Sequence, residues 1–241
     1  MSTENSPERR FPKPTLTEIL EKPSYQSLIL LEQELNSNAL SISSNRGDEK
    51  NGHLILTVTD AKYKEVTGVD WDRLDHPGPG VVHADNATAA KMIENNRDYD
   101  KKLKEFEIQA AVEAQLKRQF LEAIRPIDVD DLNDDHYGFA AVTTRDLLAH
   151  LRAKHGKITQ DDLTKNANVL GRQWMPPMEI AVLFKQLKDC RRLAKAGHDP
   201  ITDKTAVRSA LDNVEATGLF AYATSKWREK PVRIQISLYR R

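Results

Sequence analysis

Residues 143–170 read TTRDLLAHLRAKHGKITQDDLTKNANVL. Two helix starts and one stop are written into this stretch. Thr143 or Thr144 can cap a helix that carries Leu147, Leu148 and Leu151 on one face and stops at Gly156. Thr159 with Asp162 has the form of a capping box for a second helix through Leu163, Val169 and Leu170. Short capped helices with a short connection predict a compact helical lobe.

The same punctuation continues downstream. Pro176 and Pro177 open a helix with Ile180, Leu183, Phe184, Leu187 and Leu193 turned inward and Gly197 as its stop. Thr202 caps another, carrying Ala206, Ala210, Leu211 and Val214 and closed by Gly218. A last helix holds Leu219, Phe220, Tyr222 and Trp227 and ends before Pro231. Residues 142–231 therefore read as a C-terminal helical lobe. Residues 232–241, VRIQISLYRR, alternate Val232, Ile234, Ile236 and Leu238 with polar residues, an atypical strand-like tail.

Upstream, residues 24–141 read as an N-terminal lobe. Residues 1–23 read as a flexible arm, because Pro7, Pro12, Pro14 and Pro23 leave room for only one short helical turn. Ser24 can cap a helix with Tyr25, Leu28, Leu31 and Leu35 on one face. Leu40 and Ile42, then Leu54, Leu56 and Val58, alternate with polar residues around a Gly/Asn-rich loop, which predicts one small β-hairpin. Residues 60–66 form a short helix ending at Gly68, and the proline-glycine stretch 70–84 is an exposed loop. Asn86 opens a long helical pattern that ends at Pro126. Unbroken, it would span roughly 57 Å at 1.5 Å per residue, so a break is expected where the apolar stripe lapses at Glu94–Asp98. Beyond that point Tyr99, Leu103, Phe106 and Ala110 form a stripe, continued by Val112, Leu116, Phe120 and Ile124.

Composition bounds the function. The 241 residues balance 36 Lys plus Arg against 36 Asp plus Glu, which argues against a chain built mainly to coat nucleic acid or an anionic membrane. The single cysteine, Cys190, excludes an internal disulfide and any multi-cysteine zinc site. Apolar runs such as Leu28–Leu31 fall far below the ~18 residues that span a bilayer, so no membrane partner is expected. The N-terminal MSTENSPERRFPKP has no apolar segment and does not read as a secretory signal, so a soluble cytosolic or nuclear protein is expected, cytoplasmic being the first choice.

Catalytic chemistry finds little footing. The acidic run Asp128, Asp130, Asp131, Asp134 and Asp135 lacks the glycine and terminal glutamate of a calcium loop and reads as a solvated loop. His150 and His155 would point about 140° apart on a helix, a poor metal pair. Cys190 has two adjacent arginines but no evident base, and reads as a structural thiol. With no phosphate loop, nucleophile elbow or paired carboxylates, the expectation is no enzyme, no cofactor, no metal and no small-molecule substrate. Basic residues do cluster late, and Lys226, Arg228, Lys230 and Arg233 are candidate RNA contacts. Trp227 among them reads first as a core anchor of the last helix.

Taken together, VTTRDLLAHLRAKHGKITQDDLTKN at 142–166, PPMEIAVLFKQLKDCRRLAKAG at 176–197, PITDKTAVRSALDNVEATGLF at 200–220 and WREKP at 227–231 resemble the Gag (capsid) polyprotein of copia-type LTR retrotransposons. NSNALSISSN at 36–45 and GHLILTVTDAKY at 52–63 share the resemblance, which covers roughly residues 24–231. It implies a mainly α, two-lobed capsid-like architecture, with Leu148, Trp174, Phe184, Leu187, Phe220 and Trp227 as core or lobe anchors. It also implies homo-oligomeric self-assembly into particles that enclose the element's RNA. Family members usually continue past WREKP into a further helix and often a zinc knuckle. The shift to VRIQISLYRR therefore implies a copy truncated at the C-terminus. The rival expectation is a domesticated or relic capsid lobe acting as a non-assembling protein-interaction module.

Overall fold

The computed structural model describes residues 10–44, 47, 49–71, 74–84 and 86–231. Among them the chain is mainly helical, with eight α-helices and no sheet. It divides into two compact units, the first ending at Gly156 and the second beginning at Lys157.

The first unit is built on α1 (Tyr25–Ser41), α2 (Asp60–Thr67), α3 (Ala89–Ala123) and α4 (Thr144–His155). Ser24 and Ser27 cap α1 reciprocally, and Leu28, Leu31, Leu35 and Ala39 form its buried stripe. That stripe packs against Val112, Leu116, Phe120 and Ala123 of α3 and Leu147, Leu148 and Leu151 of α4. A salt bridge from Arg152 of α4 to Glu32 of α1 lies at the edge of this contact.

Residues 11–23 are part of this core, contrary to the flexible arm expected from their prolines. Phe11, Leu16 and Ile19 are buried, and the Ile19 amide donates to the Ala123 carbonyl at 2.8 Å. The prolines prevent a helix but not an extended path. The backbone groups left over are met by side chains: Asn38 accepts from the Lys13 amide at 2.9 Å and donates to the Lys13 carbonyl at 2.8 Å.

Among the described residues the expected β-hairpin is not formed either. Leu40 belongs to α1, and Leu54–Leu56 form a single 3-10 turn. Buried Ala39 continues the stripe of Leu31 and Leu35 at steps of four, and Ile42 is the buried, extended residue that ends α1, so the three-residue alternation there is the last turn of a helix and its cap. Gly52 then presses back onto the end of α1. Its φ is +45°, and a Cβ there would lie 2.5 Å from the Ile42 carbonyl oxygen.

No break interrupts α3, which runs for 35 residues. Residues 94–98 contain neither proline nor glycine, and they need no apolar stripe because no residue of α3 before Val112 is buried. The boundary between units differs from the expected one at 141/142. The stripe of α4 fills the first unit's core, while Lys117 of α3 donates to the carbonyls of Phe139 and Val142 and fixes the approach to α4.

The second unit contains α5 (Gln160–Leu170), α6 (Ile180–Ala196), α7 (Asp203–Glu215) and α8 (Ala221–Arg228). Reciprocal caps at Thr159 and Asp162 start α5, and Thr202 caps α7. α5 packs on α6, α6 on α7 and α7 on α8. Trp174, Leu183 and Leu187 make the core, flanked by Leu170, Ala210 and Val214. No described helix is long and apolar enough to cross a membrane.

Candidate interaction surfaces

The anchors expected from sequence divide by exposure. Trp174 and Leu187 are buried in the second unit, and Leu148 is buried in the first. Phe184 is 51% exposed and Phe220 43%, so neither is a core residue. The reason for Phe184 is register. Leu183, Leu187, Cys190 and Ala194 occupy the inner face of α6, and Phe184 lies one residue, about 100°, away. Trp227 is half-buried on α8.

Phe184 has company. Met175, Met178, Ile180 and Val182 are all about half exposed, and Ile180 sits one turn before Phe184 on the same side of α6. Leu219, Phe220 and Tyr222 are exposed at the start of α8. The second unit thus fills its core and still presents large apolar side chains from two segments, 175–184 and 219–222.

The basic cluster is charge-balanced. Arg228 pairs with Asp212 at 2.7 Å and with Glu215, and Lys226 pairs with Glu229 at 3.0 Å. Lys230 sits 5.2 Å from the centre of the Trp227 ring. Arg233 lies outside the described residues.

Titratable groups elsewhere serve the fold. Asp128 is buried, unlike the solvated loop expected for its segment. The Arg125 guanidinium, bonded to it at 2.8 and 3.0 Å, holds its carboxyl below the usual range, and His155 Nε2 lies 3.0 Å away. Glu113 accepts from the Thr144 amide and hydroxyl, and burial nevertheless pushes its carboxyl up. Cys190 is buried, its thiol pushed up to about 11 by desolvation. Asn166 donates to the Cys190 carbonyl at 2.9 Å. Sequence gave no hint of His53. It is buried with both ring nitrogens unpartnered, its pKa lowered to about 4 by desolvation. It borders a cavity of about 150 Å³ together with Ser43, Leu74 and Gln109. Among the described residues no three His, Cys, Asp or Glu side chains gather as a metal site.

The exposed half of α3 forms a further surface. Segment 74–84 runs along it as a strap, with contacts at Phe106, Tyr99 and Asn96. His76 packs edge-on against Phe106 at 5.0 Å, the Tyr99 hydroxyl donates to the Gly78 carbonyl at 2.9 Å, and His83 Nε2 lies 3.1 Å from Asn96 Oδ1.

No family model, curated protein or solved structure matches the chain.

Proposed function

We propose that the chain is a Gag-like structural protein that acts by binding further copies of itself, forming capsid-like particles that enclose element RNA in the cytoplasm. The observation that carries this reading is the apolar surface of the second unit. Met175, Met178, Ile180, Phe184, Leu219, Phe220 and Tyr222 stay exposed on a unit whose core is already filled. Exposed apolar groups of this size mark a surface that another protein covers. The order and spacing of the segments from 142 to 231 support the family part of the reading. Asp128, Glu113 and Cys190, engaged in structural contacts, fit a protein whose work is assembly.

Assembly of this kind adds many modest contacts through multivalency and symmetry. RNA is the second partner. Because Arg228 and Lys226 already face carboxylates, their contact with phosphates is weak and only shallowly salt-dependent.

The test is sedimentation velocity of the purified chain with and without RNA, followed by electron microscopy. Concentration-dependent oligomers that Ile180→Asp with Phe184→Asp reduces to monomer, with unchanged helix content, support the proposal. Monomer at every concentration defeats it. A defined complex with a different protein, without particles, favours the non-assembling interaction module.

A further inference from the structure

The exposed half of α3 carries a seven-residue repeat. Met92, Asn96, Tyr99, Leu103, Phe106 and Ala110 follow one another at steps of four, three, four, three and four. This is the a/d spacing of a two-stranded coiled coil, with Asn96, Leu103 and Ala110 at a and Met92, Tyr99 and Phe106 at d. The stripe is not part of the core: Met92, Tyr99, Leu103 and Phe106 are only half-buried, and Asn96 and Ala110 are exposed. The strap 74–84 meets it at Asn96, Tyr99 and Phe106, through contacts that include one aromatic and two polar ones.

The geometry points to a second copy of this chain as the true partner of the stripe, its α3 lying parallel to this one after the strap lifts. Charge selects that partner and that direction. In this register Lys102 stands at g and Glu107 at e, five residues on. Parallel pairing sets Lys102 of each copy against Glu107 of the other, two attractive contacts related by symmetry. Both residues are exposed on the isolated chain and so available for this role. Antiparallel pairing loses that match. Asn96 at an a position supplies the polar pair that fixes register and favours two strands. The stripe runs about 27 Å over residues 92–110, enough for a modest, reversible contact.

The inference deepens the self-association reading and takes from it the identity of the partner as a second copy. Sedimentation equilibrium of the full chain tests it with Lys102→Glu, Glu107→Lys and the double variant. Each single change turns attraction into repulsion and weakens dimerisation about tenfold, and the double change restores it. Asn96→Cys forms an interchain disulfide under mild oxidation, whereas Lys101→Cys, on the opposite side of α3, does not. Self-association that ignores the charge reversals and gives no disulfide from Asn96→Cys overturns the α3 pairing and leaves the assembly reading standing. A charge-sensitive dimer that forms no particles with RNA supports the pairing and contradicts the assembly reading. A chain that stays monomeric throughout overturns both.

Discussion

Asn38 and Gln119 are a buried amide pair that holds an extended segment in a helical core. Asn38 donates to Gln119 Oε1 at 2.9 Å, and Gln119 donates to the Pro14 carbonyl at 2.7 Å. Replacing Asn38 with Leu strands the Lys13 amide and Gln119 Oε1, while the Lys13 carbonyl keeps the Gln119 amide, and urea denaturation should show a loss of about 2–3 kcal/mol. His53 sets a pH dependence. Its folded pKa, about 4, lies below the unfolded value of 6.5, so the unfolded chain takes up a proton that the folded one refuses. The stabilisation is complete above pH 6.5 and is lost as pH falls toward 4, by ~3 kcal/mol. His53→Leu should flatten the urea midpoint over that window; an unchanged slope would contradict the assignment. Neither Asn38 nor His53 was legible in the sequence. A polar residue in a helix or a lone histidine in a loop gives no sign of burial until its tertiary neighbours are known.

At the scale of elements, legibility followed the caps. Thr143, Thr159 and Thr202 each accept the expected backbone N–H, because a cap is a local hydrogen bond that sequence spacing fixes. Thr159→Ala should cost the second unit about 1 kcal/mol, read from its thermal transition. Period was less secure where the apolar run was short. Leu40 and Ile42 fit a strand over three residues, but Leu28, Leu31, Leu35 and Ala39 fit a helix over the length of α1, and the longer pattern carries the chain to Ser41. The lapse at residues 94–98 was a change of surroundings and not of structure. The stripe of α3 beyond it meets the strap before it meets the core. Tyr99→Phe removes the hydroxyl bond to Gly78 and should tighten self-association, because it loosens the strap without shortening the apolar stripe; sedimentation equilibrium reads the difference.

At the scale of the molecule, two cores imply two sets of stabilising contacts. Leu116→Ala should lower the stability of the first unit by about 2–5 kcal/mol, and Leu187→Ala that of the second by a similar amount. Hydrogen exchange resolved along the chain should show each loss confined to its own unit. The predominance of helix was legible from the run of caps and stops, while the unit boundary was not. α4 carries the same kind of apolar stripe as α5 and α6, and a stripe does not say which core it fills. The candidate site was legible in part: Phe184 and Phe220 were singled out by sequence, but as core anchors and not as exposed groups. Which side of a helix faces in depends on its neighbours: of the residues expected inward on α6, Leu183, Leu187 and Leu193 are buried, whereas Ile180 and Phe184 are exposed. The central claim is that these exposed groups serve contacts between copies. Sedimentation velocity of the full chain across a hundredfold range of concentration tests it most directly. The account predicts a boundary that shifts to faster species as concentration rises and that Ile180→Asp with Phe184→Asp returns to the 27.3 kDa monomer. A single monomer boundary at every concentration, with RNA present or absent, would contradict it.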